Sequence, residues 1–244
     1  MLLQILTYTH HLTTMLFGIF LSAFFLGVKQ NKKNVCILLG GGAVSGLFFL
    51  ICNTVFGSLF TEAVYPIFVH LPLFLLLVFY YRFRWLPSII SIMTAYLCCQ
   101  FSNWAGIFAL SLSGLDWVYY LVRIIVTVAV FAFLSRYLCQ TTALLFAKSD
   151  RELYILGAMP FVYYVFDYST TKFSMLLYSG NKVVVEFLAF AMCISYVIFL
   201  FVYFQEYELK NRAEQYGQLT NMQLNSLHSE IEQVRSSEHR MKIL

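Results

Sequence analysis

Seven apolar stretches, at 5–28, 35–57, 64–81, 86–110, 117–138, 153–169 and 183–204, constrain this chain more than any motif does. Most run to roughly 18–25 residues, enough for an α-helix to cross the ~30 Å hydrocarbon core of a bilayer. Lipid offers backbone amides no partners, and the stretches lack the two-residue alternation of a barrel strand, so helices are the element they predict. Composition agrees: 60% of the chain is hydrophobic and 11% charged, whereas soluble domains carry about 25% charged residues. Residues 1–204 therefore cannot form a water-soluble globule. The expected fold is all-α, a polytopic helical membrane bundle of about seven transmembrane helices followed by a cytoplasmic, coiled-coil-like helix. Its two domains are a transmembrane domain, 1–204, and a polar helix, 205–244.

The charges that remain predict an orientation. The 29–34 turn carries Lys29, Lys32 and Lys33, the 82–85 turn Arg82 and Arg84, and the 139–152 loop with its flank Arg136, Lys148 and Arg151. The opposite connections hold only Lys172 and Lys182. Eight basic residues against two places the N-terminus outside and the tail in the cytoplasm of a plasma-membrane protein. The start, MLLQILTYTHH, has no positive n-region and no small-residue cleavage site, so the first stretch is expected to stay as a span. The sixth stretch is the shortest and carries Pro160; a re-entrant segment there would leave six spans. The net charge of +4 is no nucleic-acid signal, because the basic residues sit at span ends. Six cysteines without a C-x-x-C spacing read as small buried side chains, so no metal and no cofactor is expected. Gly42 and Gly46 form a G-x-x-x-G that suits close helix packing, within the chain rather than between copies.

Ionisable residues inside spans are costly and default to functional candidates. With the N-terminus outside, His10, His11, Asn53, His70, Gln100, Asn103, Arg123, Asp167 and Glu186 all fall in the outer halves of their spans. A water-accessible pocket open to the exterior follows, with His70, Asn103, Arg123, Asp167 and Glu186 as ligand-binding candidates. Arg123 lies deepest, about 9 Å below the end of its span at 1.5 Å per residue. The plainer alternative is that span-end residues snorkel and that Arg123 pairs with Asp116, seven residues earlier, or with Glu186. No catalytic constellation is present: neither G-x-S-x-G, H-E-x-x-H nor a Walker loop occurs.

From Gln205 the chain changes character. The forty residues to Leu244 hold eleven of its charges, one Gly and no Pro. Leu224, Leu227, Ile231, Val234 and Met241 follow the alternating three- and four-residue steps of a coiled-coil seam and predict a homodimer through this helix.

The run FVYFQEYELK, Phe201 to Lys210, and the ending Ser237, Glu238, Lys242, Ile243 and Leu244 resemble the junction and tail of membrane sensor histidine kinases of the GHKL type, relatives of the Agr-type peptide-receptor kinases. FDYSTT, Phe166 to Thr171, and LLYSGNKVVVEF, Leu176 to Phe187, are similar to the outer loop and last span of such sensors. The resemblance implies a receptor for an external ligand, a peptide among the candidates, that signals through a two-component system. The family's phosphoacceptor box and ATP-binding boxes do not occur here, and neither His228 nor His239 inherits the phosphoacceptor role. The chain is thus expected to be a sensory half, inactive alone, of a parent that is a protein histidine kinase. A small-molecule transporter, or its membrane substrate-binding subunit, is the rival expectation. Against it stand the seam-bearing tail and the lack of paired broken helices in matching halves. A membrane-embedded enzyme is the weakest reading, for want of a catalytic set.

Overall fold

The structure, a computed structural model, describes residues 2–57, 60, 61, 64–168 and 182–241, with side chains except at 168, 182–186 and 233–241. Among the described residues there is no strand. Each apolar stretch is helical: α1 (Leu2–Phe25), α2 (Lys32–Phe56), α3 (Pro66–Tyr80), α4 (Trp85–Cys98) with α5 (Gln100–Ser113), α6 (Asp116–Tyr137), α8 (Asp150–Tyr168) and α9 (Lys182–Met241). An additional short helix, α7 (Cys139–Phe146), lies between α6 and α8. The chain divides into two units, Met1–Leu200 and Phe201–Leu244.

In the first unit the most apolar segments are the least covered. Among the described residues, four segments are long and apolar enough to cross a membrane. Over an 18-residue apolar window, α2, α6 and the stretch of α9 from Phe187 have mean hydropathies of 2.4, 2.1 and 2.4, and only 22%, 11% and 22% of the window is buried. The corresponding window of the α4–α5 pair, Trp85–Ser113, has the lowest value, 1.2, and is 67% buried. Hydrocarbon outside the bundle explains the order. Lipid solvates Leu and Phe as well as a protein interior does, so helix contacts go to small and polar residues that pack closely and find partners. Ser88, Ser91 and Thr94 line the buried face of α4, with Ser88 Oγ donating to Arg84 O at 2.8 Å and Ser91 Oγ to Ser88 O at 2.9 Å.

α1 packs against α2, α4, α6 and α7 and buries Phe17, Leu21, Phe24 and Phe25. Gly42 and Gly46 of α2 face it: a Cβ at Gly42 would sit 3.1 Å from Ile19 Cδ1, and one at Gly46 3.5 Å from Met15 Cε. The G-x-x-x-G is therefore used within the chain. α8 continues through Pro160 and meets α4 where Gly157 lies against Ile90. Tyr196 of α9, fully buried, donates its hydroxyl to Leu156 O of α8 at 2.9 Å.

α3 departs from regular α-helix for a chemical reason. Pro72 has no N–H to give to the carbonyl four residues back, and its ring crowds that carbonyl. The flanking turns Pro66–His70 and Leu76–Tyr80 are π-helical, the Leu71 N–H reaching Pro66 O and the Tyr81 N–H reaching Leu76 O at 3.1 Å. The expectation of a plain loop over 139–152 is corrected by α7, which buries Cys139, Thr142, Leu145 and Phe146. Thr141 and Thr142 make this eight-residue stretch look like a loop in sequence, but Thr142 Oγ1 satisfies itself on Leu138 O and Cys139 O, both at 3.1 Å. Gly27, at φ +87°, turns the chain beneath α7 where a Cβ would come 3.3 Å from Ala143 Cβ. Arg84 reaches Asp150 at 2.7 Å and also donates to Lys148 O, so the 82–85 and 139–152 connections share one end of the bundle.

The second unit is helical through Met241. Leu224, Leu227 and Ile231 are 59%, 58% and 61% exposed. The side chains of Val234 and Met241 lie outside the described residues.

Candidate ligand cavity

A cavity of about 1010 Å³ opens in the first unit. Its wall comes from the N-terminal part of α1, the C-terminal half of α2, the start of α3, the second half of α4, the length of α5, the first turns of α6 and the last turn of α8. These are the ends of antiparallel neighbours, so alternating up-and-down helices bring residues far apart in sequence to one end of the bundle. His70, Asn103, Arg123 and Asp167 all line it, together with His10, His11, Asn53 and Gln100. The Glu186 side chain lies outside the described residues.

Arg123 is held from two sides. Its Nη1 donates to the Tyr119 hydroxyl at 2.5 Å, and its guanidinium carbon lies 5.2 Å from the Tyr119 ring centroid. Its aliphatic stem crosses α5 at Gly106, where a Cβ would fall 2.3 Å from Arg123 Cγ. Among the described residues, its buried Nε has no hydrogen-bond partner. The anticipated pairing with Asp116 does not form: Asp116 is exposed, and among the described residues no carboxylate makes an ion pair with Arg123. Helix geometry gives the reason. Seven residues separate two side chains by about 10 Å along the axis, whereas Tyr119, four residues back, is a surface neighbour.

His70 and Asp167 belong to a second cluster, built on α3, α4 and α8. The Tyr96 hydroxyl donates to Asp167 Oδ2 at 2.5 Å, and His70 Nδ1 lies 2.9 Å from the Tyr164 hydroxyl. The His70 ring is surrounded by Tyr65, Tyr164 and Tyr96 at centroid distances of 5.4, 5.6 and 5.9 Å. His70 itself sits on the π-helical turn, which re-aims its side chain relative to a regular helix. Asn103 Nδ2 donates to Gln100 Oε1 at 3.2 Å. His10 is buried in the α1 wall, its Nδ1 3.3 Å from Thr14 Oγ1.

The arrangement suits binding. Among the described residues, no group of three or more His, Cys, Asp or Glu could hold a metal ion. Sequence reasoning missed Tyr119, Tyr96, Tyr164 and Gly106. The four-residue spacing of Tyr119 and Arg123 was a usable signal; the other three depend on contacts between helices and left none.

Comparison with protein-family models, curated proteins and solved structures finds no match for this chain.

Proposed function

We propose that the chain is the signal-input portion of a two-component sensor histidine kinase of the GHKL type, multi-pass in the plasma membrane. In this reading the N-terminus is external, 1–204 is the sensor domain, and 205–244 is a cytoplasmic helix that pairs with a second copy. The observation that carries it is the cavity: four of the five polar residues chosen from sequence line one chamber. That chamber lies at the bundle end opposite the Arg84–Asp150 contact, the end that the basic-residue bias assigns to the exterior. Exposure of Leu224, Leu227 and Ile231 along one run of seam spacing supports a dimer output. Occupation of the chamber then biases the pairing of two tails, a bistable element that a ligand supplying a few kcal/mol can tip.

Cysteine scanning in native membranes tests both halves. Single cysteines along 224–234 should crosslink most at Leu224, Leu227, Ile231 and Val234 and least at Asn225, Ser229 and Glu232. In intact cells an impermeant reagent should modify cysteines placed at Thr61 or Ser179 and spare those at Lys33 or Ser149. A flat crosslinking profile removes the output helix, and reversed labelling turns the chamber inward. Either result would favour the transporter reading.

A further inference from the structure

We propose, building on the receptor reading above, that the chamber takes an anionic amphiphile, its carboxylate or phosphate head on Arg123 and its hydrocarbon part along the apolar wall. A guanidinium offers five N–H donors in a planar fork and has no neutral form to retreat to. Here one donor, Nη1, goes to a neutral hydroxyl, and the buried Nε has no partner among the described residues. A cation in such a place is stabilised by an anion or pays for its desolvation. Among the described residues the chamber's carboxylate is Asp167, which Tyr96 engages, and no described carboxylate makes an ion pair with Arg123. With no described carboxylate on Arg123, the head group is assigned to a molecule from outside the chain.

The rest of the wall describes the tail of the ligand. Met15, Ile19, Val69, Leu73, Ile92 and Ile107 face the same space. A large, mostly apolar volume with a few fixed polar groups suits a molecule that is hydrocarbon over most of its length. Gly106 contributes by omission. Without its hydrogen-only side chain, the Arg123 stem could not lie flat across α5, and the fork would be pushed from the Tyr119 ring. Tyr119 holds the guanidinium from behind and leaves its far edge for the head group.

The test uses the full chain in phosphatidylcholine nanodiscs with radiolabelled decanoate, and decanol and decyltrimethylammonium as competitors of matched length. Decanoate should bind saturably, and the two competitors should displace it weakly. Arg123→Gln should lower decanoate affinity roughly tenfold to a hundredfold, the scale of a lost charge-assisted hydrogen bond. Arg123→Lys should fall between, keeping the charge and losing the fork. Adding phosphatidylglycerol separates the two sources of such a head group. Competition assigns the chamber to a bilayer lipid, its absence assigns it to a free amphiphile, and both uphold the anion site. Equal binding of the cationic or neutral probe, or no binding of any probe, overturns the proposal while leaving the receptor reading to the crosslinking experiment. Arg123-dependent binding that never alters tail crosslinking has the opposite meaning: the anion site stands and the receptor reading falls. Should Arg123→Gln not fold, the three-probe series on the unaltered chain decides alone.

Discussion

At one end of the Met1–Leu200 unit, Arg84 finds Asp150 at 2.7 Å, and Leu138, Leu145, Leu153 and Leu156, in the stretch of chain on either side of Asp150, are fully buried. At the other end, Arg123 rests on a tyrosine beside about 1010 Å³ of open volume. The first end spends its charges on the protein and its volume on packing. The second holds a guanidinium that no described carboxylate pairs with, and leaves space beside it. Packed side chains give an end its stability, whereas a hollow end held by ring contacts and a few hydrogen bonds has little apolar burial to lose when it rearranges. The contrast teaches where the molecule can afford change: the chamber can be refilled or reshaped at low cost, and the packed end cannot.

The largest effect that tests this contrast is cavity formation. Leu145→Ala at the packed end should cost about 2–5 kcal/mol. Leu12→Ala on the chamber wall, where Leu12 is 53% exposed, should cost under about 1 kcal/mol. Unfolding in bicelles, followed by circular dichroism, measures both, and equal losses would erase the distinction between the ends.

Next in size is a pair of glycines. In Gly157→Ala the new methyl meets Ile90 Cγ1 at 2.6 Å in a filled interface, and overpacking should cost about 1–3 kcal/mol. In Gly106→Ala it meets the flexible stem of Arg123 at 2.3 Å. That stem can swing into the chamber, so the stability loss should stay under about 1 kcal/mol while decanoate binding weakens. A large stability loss at Gly106 would mean the chamber end is as rigid as the other.

The smallest effect belongs to the most visible ion pair. Arg84 and Asp150 have side chains 49% and 61% exposed, so Arg84→Ala should change stability by no more than about 1 kcal/mol, and by less at high salt. A greater loss would show that the clasp, and not the buried leucines, holds the packed end closed.

Much of this was legible in the chain. Apolar run length alone located a helix, or the α4–α5 pair, on each of the seven stretches, because hydropathy over twenty residues is a local property that the bilayer reads directly. The one-sided distribution of His70, Asn103, Arg123 and Asp167 was visible for the same reason, since alternating spans convert sequence position into depth. α7 was not visible. Eight residues are too few for a periodic signal, and Thr142 hides its polarity by bonding to its own helix.

By itself, then, the sequence determined the helical class, the stretches apolar enough to cross a membrane, the place of each polar residue along its helix and the seam spacing of the tail. Tertiary structure alone decided which faces those helices turn toward one another. It laid Gly106 under the Arg123 stem, drew Tyr96 of α4 onto Asp167 of α8, turned Gly42 and Gly46 onto α1, and left Arg123 with Tyr119 instead of Asp116. The physical reason is that hydrophobicity and spacing are additive along one helix, whereas contact between helices depends on rotations and close approaches set by many side chains at once.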